Sequence, residues 1–214
     1  MNPLLSHLPA VLLALTTFFI AVVSPGPANL ATIGTSMTAG RKAGISMALG
    51  TVSTSLFWGS VAAIGLGSLL LQYAVAITVL KILGGVYLLW LALKSFRSAA
   101  RQSHLQSKQV LLRSSLTKYY LQGVAIHITN PKPVFGWLAT MALGVTENAP
   151  LSVYIVLVAG GTLLSLIINI SYAVSFSTNT VTQLYDRFHH WFETIFGLMF
   201  TVAGLKLLAS AKQT

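Results

Sequence analysis

The stretch Val23-Ser24-Pro25-Gly26-Pro27-Ala28-Asn29-Leu30 lies within an apolar run that carries no charged side chain before Arg41. Two prolines and a glycine do not belong inside a continuous membrane helix. Proline has no N–H, so Pro25 and Pro27 leave the carbonyls of Ala21 and Val23 without their helical donors. In hydrocarbon such carbonyls must find protein, an ion or a water-lined cavity. Beyond the break a second helix can start near Ala28, with its first N–H groups facing back into the gap. One broken helix thus offers acceptors and donors at one depth. A second break stands at Asn130-Pro131-Lys132-Pro133, where Pro131 and Pro133 free the carbonyls of His127 and Thr129 in the same way.

The surrounding composition says which solvent the breaks face. The chain has 214 residues, 55% of them hydrophobic and 7% charged, and its mean hydropathy is +0.78. A soluble domain carries about 25% charged residues. The class is therefore an all-α polytopic membrane protein, a single transmembrane domain over residues 1–214 with no soluble catalytic or nucleic-acid-binding part. The formal net charge of +10 fits basic loops against anionic lipid headgroups rather than a nucleic-acid partner. With no cysteine there is no disulfide and no thiolate metal site, and the histidines show no metal-ligand spacing. No metal or cofactor is expected. Leu8 to Val23 resembles a signal-peptide core, but no Lys or Arg precedes Arg41, so it reads as a retained first span.

A span needs about 20 apolar residues. Six are expected: Pro9 to Ala39, Ala43 to Leu71, Tyr73 to Leu93, Tyr119 to Val145, Leu151 to Phe176 and Trp191 to Ala209. The breaks fall in the first and fourth. Gly44, Ala48, Gly50 and Thr54 give the second span a small-residue face that permits close helix approach, or a homodimer. A polar turn with Asp186, Arg187, His189 and His190 is expected before the last span, the two histidines at a helix end. Nine basic residues (Arg41, Lys42, Lys94, Arg97, Arg101, Lys108, Arg113, Lys118, Arg187) fall in the first, third and fifth loops and none in the second and fourth. Those loops, including the basic segment 94–118, are expected to be cytoplasmic and both termini outside.

Pro25 and Pro27 align with Pro131 and Pro133 at an offset of 106 residues. Gly85, Leu93 and Lys94 align with Gly197, Leu205 and Lys206 at an offset of 112. The expected architecture is two three-helix repeats, residues 1–93 and 119–214, joined by the basic loop. Three spans are an odd number, so the second repeat enters the membrane inverted. Inverted repeats with a broken helix in each half place a transport site near the midplane.

With these features in view, Ser24-Pro25-Gly26-Pro27, Gly40-Arg41-Lys42-Ala43-Gly44, Gly50, Lys81 with Gly84-Gly85-Val86-Tyr87-Leu88, and Asn130-Pro131-Lys132 resemble the LysE/RhtB family of amino-acid exporters. The resemblance covers nearly the whole chain. It implies secondary active efflux of amino acids or related metabolites across a bacterial inner membrane by proton antiport. Many relatives carry an acid soon after the glycine that matches Gly50. Here the stretch reads Thr51-Val52-Ser53-Thr54-Ser55, so the proton carrier must lie elsewhere, and no buried anion awaits a basic substrate.

The candidate substrate site is Pro25, Gly26, Pro27, Asn29, Asn130, Pro131, Lys132 and Pro133. Half-helix N–H groups would hold a carboxylate and freed carbonyls an ammonium. Lys132, about 21 Å into its span, would be an intramembrane cation, which is by default functional. Asn29 and Asn130 read equally well as site groups and as helix caps. Ser53, Thr54, Ser55, His127, Asn169 and Tyr172 are candidate cavity-lining groups, although Ser and Thr commonly bond their own helix. Glu193 is the proton-coupling candidate. It aligns with Lys81 at the offset of 112, and both side chains are expected to snorkel. The rival readings are an uncoupled channel or facilitator and a membrane interaction protein without transport; no enzyme motif supports a catalyst.

The absence of native cysteine makes the topology directly testable. A cysteine at position 108 should react with a membrane-impermeant maleimide only after permeabilisation, and one at position 214 should react in intact cells.

Overall fold

The computed structural model describes residues 3–24, 26–72, 74–100, 115–146 and 148–211. Pro25, most of the basic loop (101–114, with Arg101, Lys108 and Arg113) and the Lys81 side chain lie outside the described residues. Eight helices follow one another: α1 (Pro3–Val23), α2 (Pro27–Ala39), α3 (Arg41–Gln72), α4 (Ala74–Ala99), α5 (Leu116–Ile128), α6 (Pro131–Gly144), α7 (Leu151–Ser175) and α8 (Asn179–Ala211). No strand occurs among the described residues.

Both proline breaks interrupt a helix where the missing donors demand it. The first separates α1 from α2, and the second separates α5 from α6. Pro27 and Pro131 are the first residues of α2 and α6, where a missing N–H costs nothing. At 13 and 14 residues, α2 and α6 reach only about 20 Å each, too short to cross alone. Among the described residues, four helices are long and apolar enough to cross, in the stretches Ser6–Val23, Arg41–Gly65, Leu151–Ser175 and Arg187–Ala209. Their outer faces carry Ile64, Leu151 and Val202, at 74%, 73% and 68% exposure. Such side chains suit a lipid surface and would be costly in water. The chain is a multi-pass helical membrane protein.

The turn between α2 and α3 depends on Gly40, whose φ of +89° and ψ of 171° fall in a region essentially restricted to glycine. Arg41 and Lys42 then open α3 rather than forming a loop of their own. Two further boundaries differ from expectation. The last helix starts at Asn179, not Trp191, and the turn before it is Phe176 to Thr178. Asp186, Arg187, His189 and His190 are therefore inside α8, and the two histidines are not at a helix end. Asn179 to His190 contains no Gly or Pro, so its polarity marks the edge of the apolar zone, not the end of helix. Likewise Lys94 and Arg97 sit in the last turns of α4, and Lys118 is in the first turn of α5 behind the Ser115 cap.

Packing brings the broken helices to the centre. α1 packs on α6 and α7, α3 on α5 and α7, and the most extensive contact joins α4 to α8. Trp137 of α6 is fully buried, with Phe18 of α1 at 4.3 Å between ring centroids. A Cβ added at Gly59 of α3 or Gly161 of α7 would strike the same indole. Three helices thus close on one ring beside the second break. At the α4–α8 contact, Gly85 faces Leu208 and Gly197 faces Phe96. The small-residue face of α3 is used against α5. A Cβ at Gly50 would collide with the Tyr120 carbonyl, and one at Gly123 with the Met47 carbonyl.

Gly123→Ala should therefore force α3 and α5 apart and cost about 1–3 kcal/mol, read as a lowered Tm of the purified protein. Gly34→Ala, where an added Cβ meets nothing within 4 Å, should leave Tm unchanged or raise it.

Candidate functional site

At the first break the α1 ladder ends with the Ser24 N–H on the Ile20 carbonyl at 2.9 Å, and α2 begins with the Leu30 N–H on the Gly26 carbonyl at 2.8 Å. Between them three successive carbonyls are satisfied by side chains. Asn29 Nδ2 donates to Val22 O at 2.7 Å and to Ser24 O at 3.4 Å. Tyr172 of α7 donates its hydroxyl to Val23 O at 2.5 Å. The Lys132 ammonium, from α6, donates to Ser24 O. The Val23 carbonyl is thus free of its own helix, as the proline requires, and claimed from across the molecule. The cap residue of α2 is Gly26, which has no side chain to cover the first donors of the helix.

The second break closes on itself. The Asn130 N–H returns to the His127 carbonyl at 3.3 Å, and Asn130 Oδ1 accepts the Lys132 N–H at 3.0 Å. One acceptor position of the His127 carbonyl is thus taken within the link itself. Only Thr129 and Asn130 separate α5 from α6, and so short a link folds its own amide onto the last turn. Both asparagines, 7% and 9% exposed, bond backbone groups of the breaks.

The breaks meet at Gly26 and Lys132, the middle residues of the two proline motifs. A Cβ added at Gly26 would lie 3.1 Å from both Cδ and Nζ of Lys132. Around them is a cavity of about 40 Å³, room for about three waters. Gly26, Asn29, His127, Asn130, Lys132 and Pro133 line it, and Asn169 of α7 closes one side. Asn169 is 1% exposed, and its Oδ1 has no hydrogen-bond partner. Neither ring nitrogen of His127 has one either. A native interior satisfies nearly all such atoms, so these orphans indicate a place for further polar groups.

The other expected residues are placed as follows. Pro27 and Pro131 start the half-helices beside the cavity. Tyr172 touches the first break rather than the cavity wall. Thr54 is buried and bonds Gly50 O at 3.0 Å within its helix. Ser53 is exposed and accepts from Tyr120 at 3.0 Å. Ser55 is the residue of this trio that lines the cavity, accepting from Trp137 Nε1 at 3.1 Å. Phe18, Trp137 and Ser165 also line it and were not anticipated; no local pattern distinguishes them from ordinary core. Glu193 does not snorkel. It is 3% exposed and hydrogen-bonded to Ser95 and Ser98 of α4, with His189 Nε2 3.3 Å from the Ser98 hydroxyl.

The two interrupted helices thus meet around a small, mainly apolar cavity with a few polar groups in its wall. This chain belongs to the LysE type translocator family, whose pattern it matches over residues 19–211. It is 27% identical to the uncharacterized membrane protein YahN of Escherichia coli (strain K12) over 94% of this chain and 90% of that one. It is 24% identical to the threonine efflux protein of the same strain, over 89% and 93%. It is 26% identical to the homoserine/homoserine lactone efflux protein of Salmonella typhi, over 92% and 95%. No solved structure matches the chain.

Tyr172→Phe removes the only side-chain donor seen on the Val23 carbonyl and should cost about 1 kcal/mol. Tyr120→Phe, whose hydroxyl reaches the exposed Ser53, should cost less. The Tm of the two purified variants checks the order.

Proposed function

We propose that the protein is a secondary active exporter of amino acids or closely related metabolites across the cytoplasmic (inner) membrane, working by proton-coupled alternating access. The observation that carries this reading is the first break. Its uncapped α2 N-terminus offers donors to a carboxylate, and its carbonyls at Val22, Val23 and Ser24 offer acceptors to an ammonium. The two ends of an amino acid are complementary to the two ends of that break. The names of the threonine and homoserine efflux relatives agree with it. Gly26, Pro27, Asn29, Lys132 and Pro133 form this site in the proposal, with Asn130 and Pro131 setting the second half-helix and His127 and Asn169 offering the remaining polar contacts.

Alternating access rests on two further observations. A contact between Gly85 and Leu208 is matched by one between Gly197 and Phe96. Each is carried into the other by the offset of 112 residues, as two inverted repeats would require. Gly26 and Lys132 are likewise exchanged by the offset of 106. Side-chain bonds also tie the bundle at two places far from the breaks, Arg41 Nε to Ser177 Oγ at 3.2 Å and His7 Nδ1 to Thr146 Oγ1 at 2.6 Å. In the proposed topology the first is cytoplasmic and the second outside, so both must open in turn. Residues 1–93 and 119–214 are then the moving halves, and exposed Lys42, Lys94, Arg97 and Lys118 meet anionic lipid headgroups.

Glu193 is the proton carrier in this reading. Of the three acids in the sequence it is the one whose side chain the structure describes, and it is buried between α4 and α8. It interacts through space with Lys132, which links it to the site.

Proteoliposomes loaded with labelled amino acids should release a neutral class saturably, and faster under an imposed pH gradient. Glu193→Gln should abolish the response to the gradient. Release that ignores a collapsed gradient would assign the protein as an uncoupled facilitator, and release of none would remove amino acids as substrates.

A further inference from the structure

Ser24 O is the acceptor of the first break that is held by a charge. Val22 O and Val23 O are met by neutral donors, an amide and a phenol, whereas Ser24 O receives an ammonium. A primary ammonium is also the group that a zwitterionic substrate would bring. We infer that the Lys132 ammonium is a tethered occupant of the substrate's own ammonium seat: the substrate enters by displacing it from Ser24 O, and the released Lys132 then pairs with the substrate's carboxylate. This rests on the exporter reading for the nature of the entering molecule and on the geometry alone for the seat.

Three features support the exchange. The first is Gly26. Its φ of −135° and ψ of 179° are extended backbone that any residue adopts, so conformation does not demand glycine. The seated lysine favours it, because a Cβ there would lie 3.1 Å from its Cδ and Nζ and push it by a few tenths of an ångström. The second is volume. The lysine stem lines a cavity of about 40 Å³, so its withdrawal enlarges the space at the seat. The third is the set of unsatisfied atoms. Asn169 Oδ1 and the His127 nitrogens have no protein partner with Lys132 seated, and they line the same cavity.

The exchange also sets specificity. Lys132 is the cation of the cavity, and Lys94 and Glu193 act on it only through space, with opposite signs. A zwitterion enters without changing the net charge, and its carboxylate gives the displaced lysine a partner. A simple amine would place two ammonium groups in one small cavity with no anion between them, which like-charge repulsion opposes. Lys132 is therefore a filter that admits an ammonium only when a carboxylate accompanies it.

The test uses a matched pair of probes, n-propylamine and its carboxylated counterpart L-2-aminobutyrate, against thermal unfolding of the full purified chain. In the wild type, L-2-aminobutyrate should raise Tm and n-propylamine should not. In Lys132→Ala the amine should raise Tm by about 2–4 °C at saturating concentration. The preference for the zwitterion should fall at least about tenfold. Should that variant fail to fold, Lys132→Met keeps the stem volume without the charge and is read in the same way. Gly26→Ala, which crowds the seated lysine, should show an intermediate response to the amine. Equal amine binding by wild type and variant, or amine binding by neither, overturns the seat. Absence of competition between the amine and L-2-aminobutyrate in the variant overturns the exchange, because it shows that the two ammonium groups bind at separate places. If the amine pattern holds but no amino acid is bound or exported, the seat stands and the exporter reading fails. If export holds and the amine pattern fails, the reverse is concluded.

Discussion

Backbone carbonyls without helical donors, deep in an apolar bundle, are the constraint on which this molecule depends. Each would cost several kcal/mol if left unpaired in hydrocarbon. Pro27 guarantees one such carbonyl at Val23, and the interruption extends it to Val22 and Ser24. The donors that settle them come from α2, α6 and α7, so the break is satisfied only with those helices packed around it. Local chemistry creates the need and tertiary structure meets it. The same bonds that stabilise the bundle also define its polar centre.

The rest of the packing can be understood as positioning those donors. Trp137, wedged between the glycines of α3 and α7 and against Phe18, sets the place of α6 next to α1. That placement lets Lys132 reach the first break from the second. The close crossing of α3 and α5 at Gly50 and Gly123 carries α5, and with it His127, to the opposite wall. Small residues on one helix thus decide where a charged residue on another ends up.

The helical class, the two breaks and most helix bounds were legible in the sequence, because proline's missing N–H and long apolar runs act locally. What each freed group would bond was not. His127 O and Val23 O follow from the same proline logic, yet one is met by the adjacent Asn130 amide and the other by a tyrosine 149 positions away. Linker length separates the two outcomes, and linker length was blurred until the helix ends were known. Ser53 and Ser55 could not be told apart either. They are two residues apart on one helix and point to different neighbours, Tyr120 and Trp137. The polar first turns of α8 misled for a further reason. Hydropathy reports where the apolar zone stops, and a helix is free to continue beyond it.

The contact between Gly26 and Lys132 joins the middle residues of two similar proline motifs, Pro-Gly-Pro and Pro-Lys-Pro. In an assembly of two identical halves, a residue at such a point would touch its own copy. Two lysines there would repel each other, and two glycines would leave the Ser24 carbonyl without a cation. Having two different motifs on one chain removes that self-identity. It lets the meeting point of the breaks hold a single charge facing a single gap, Lys132 against Gly26, which two identical motifs could not achieve.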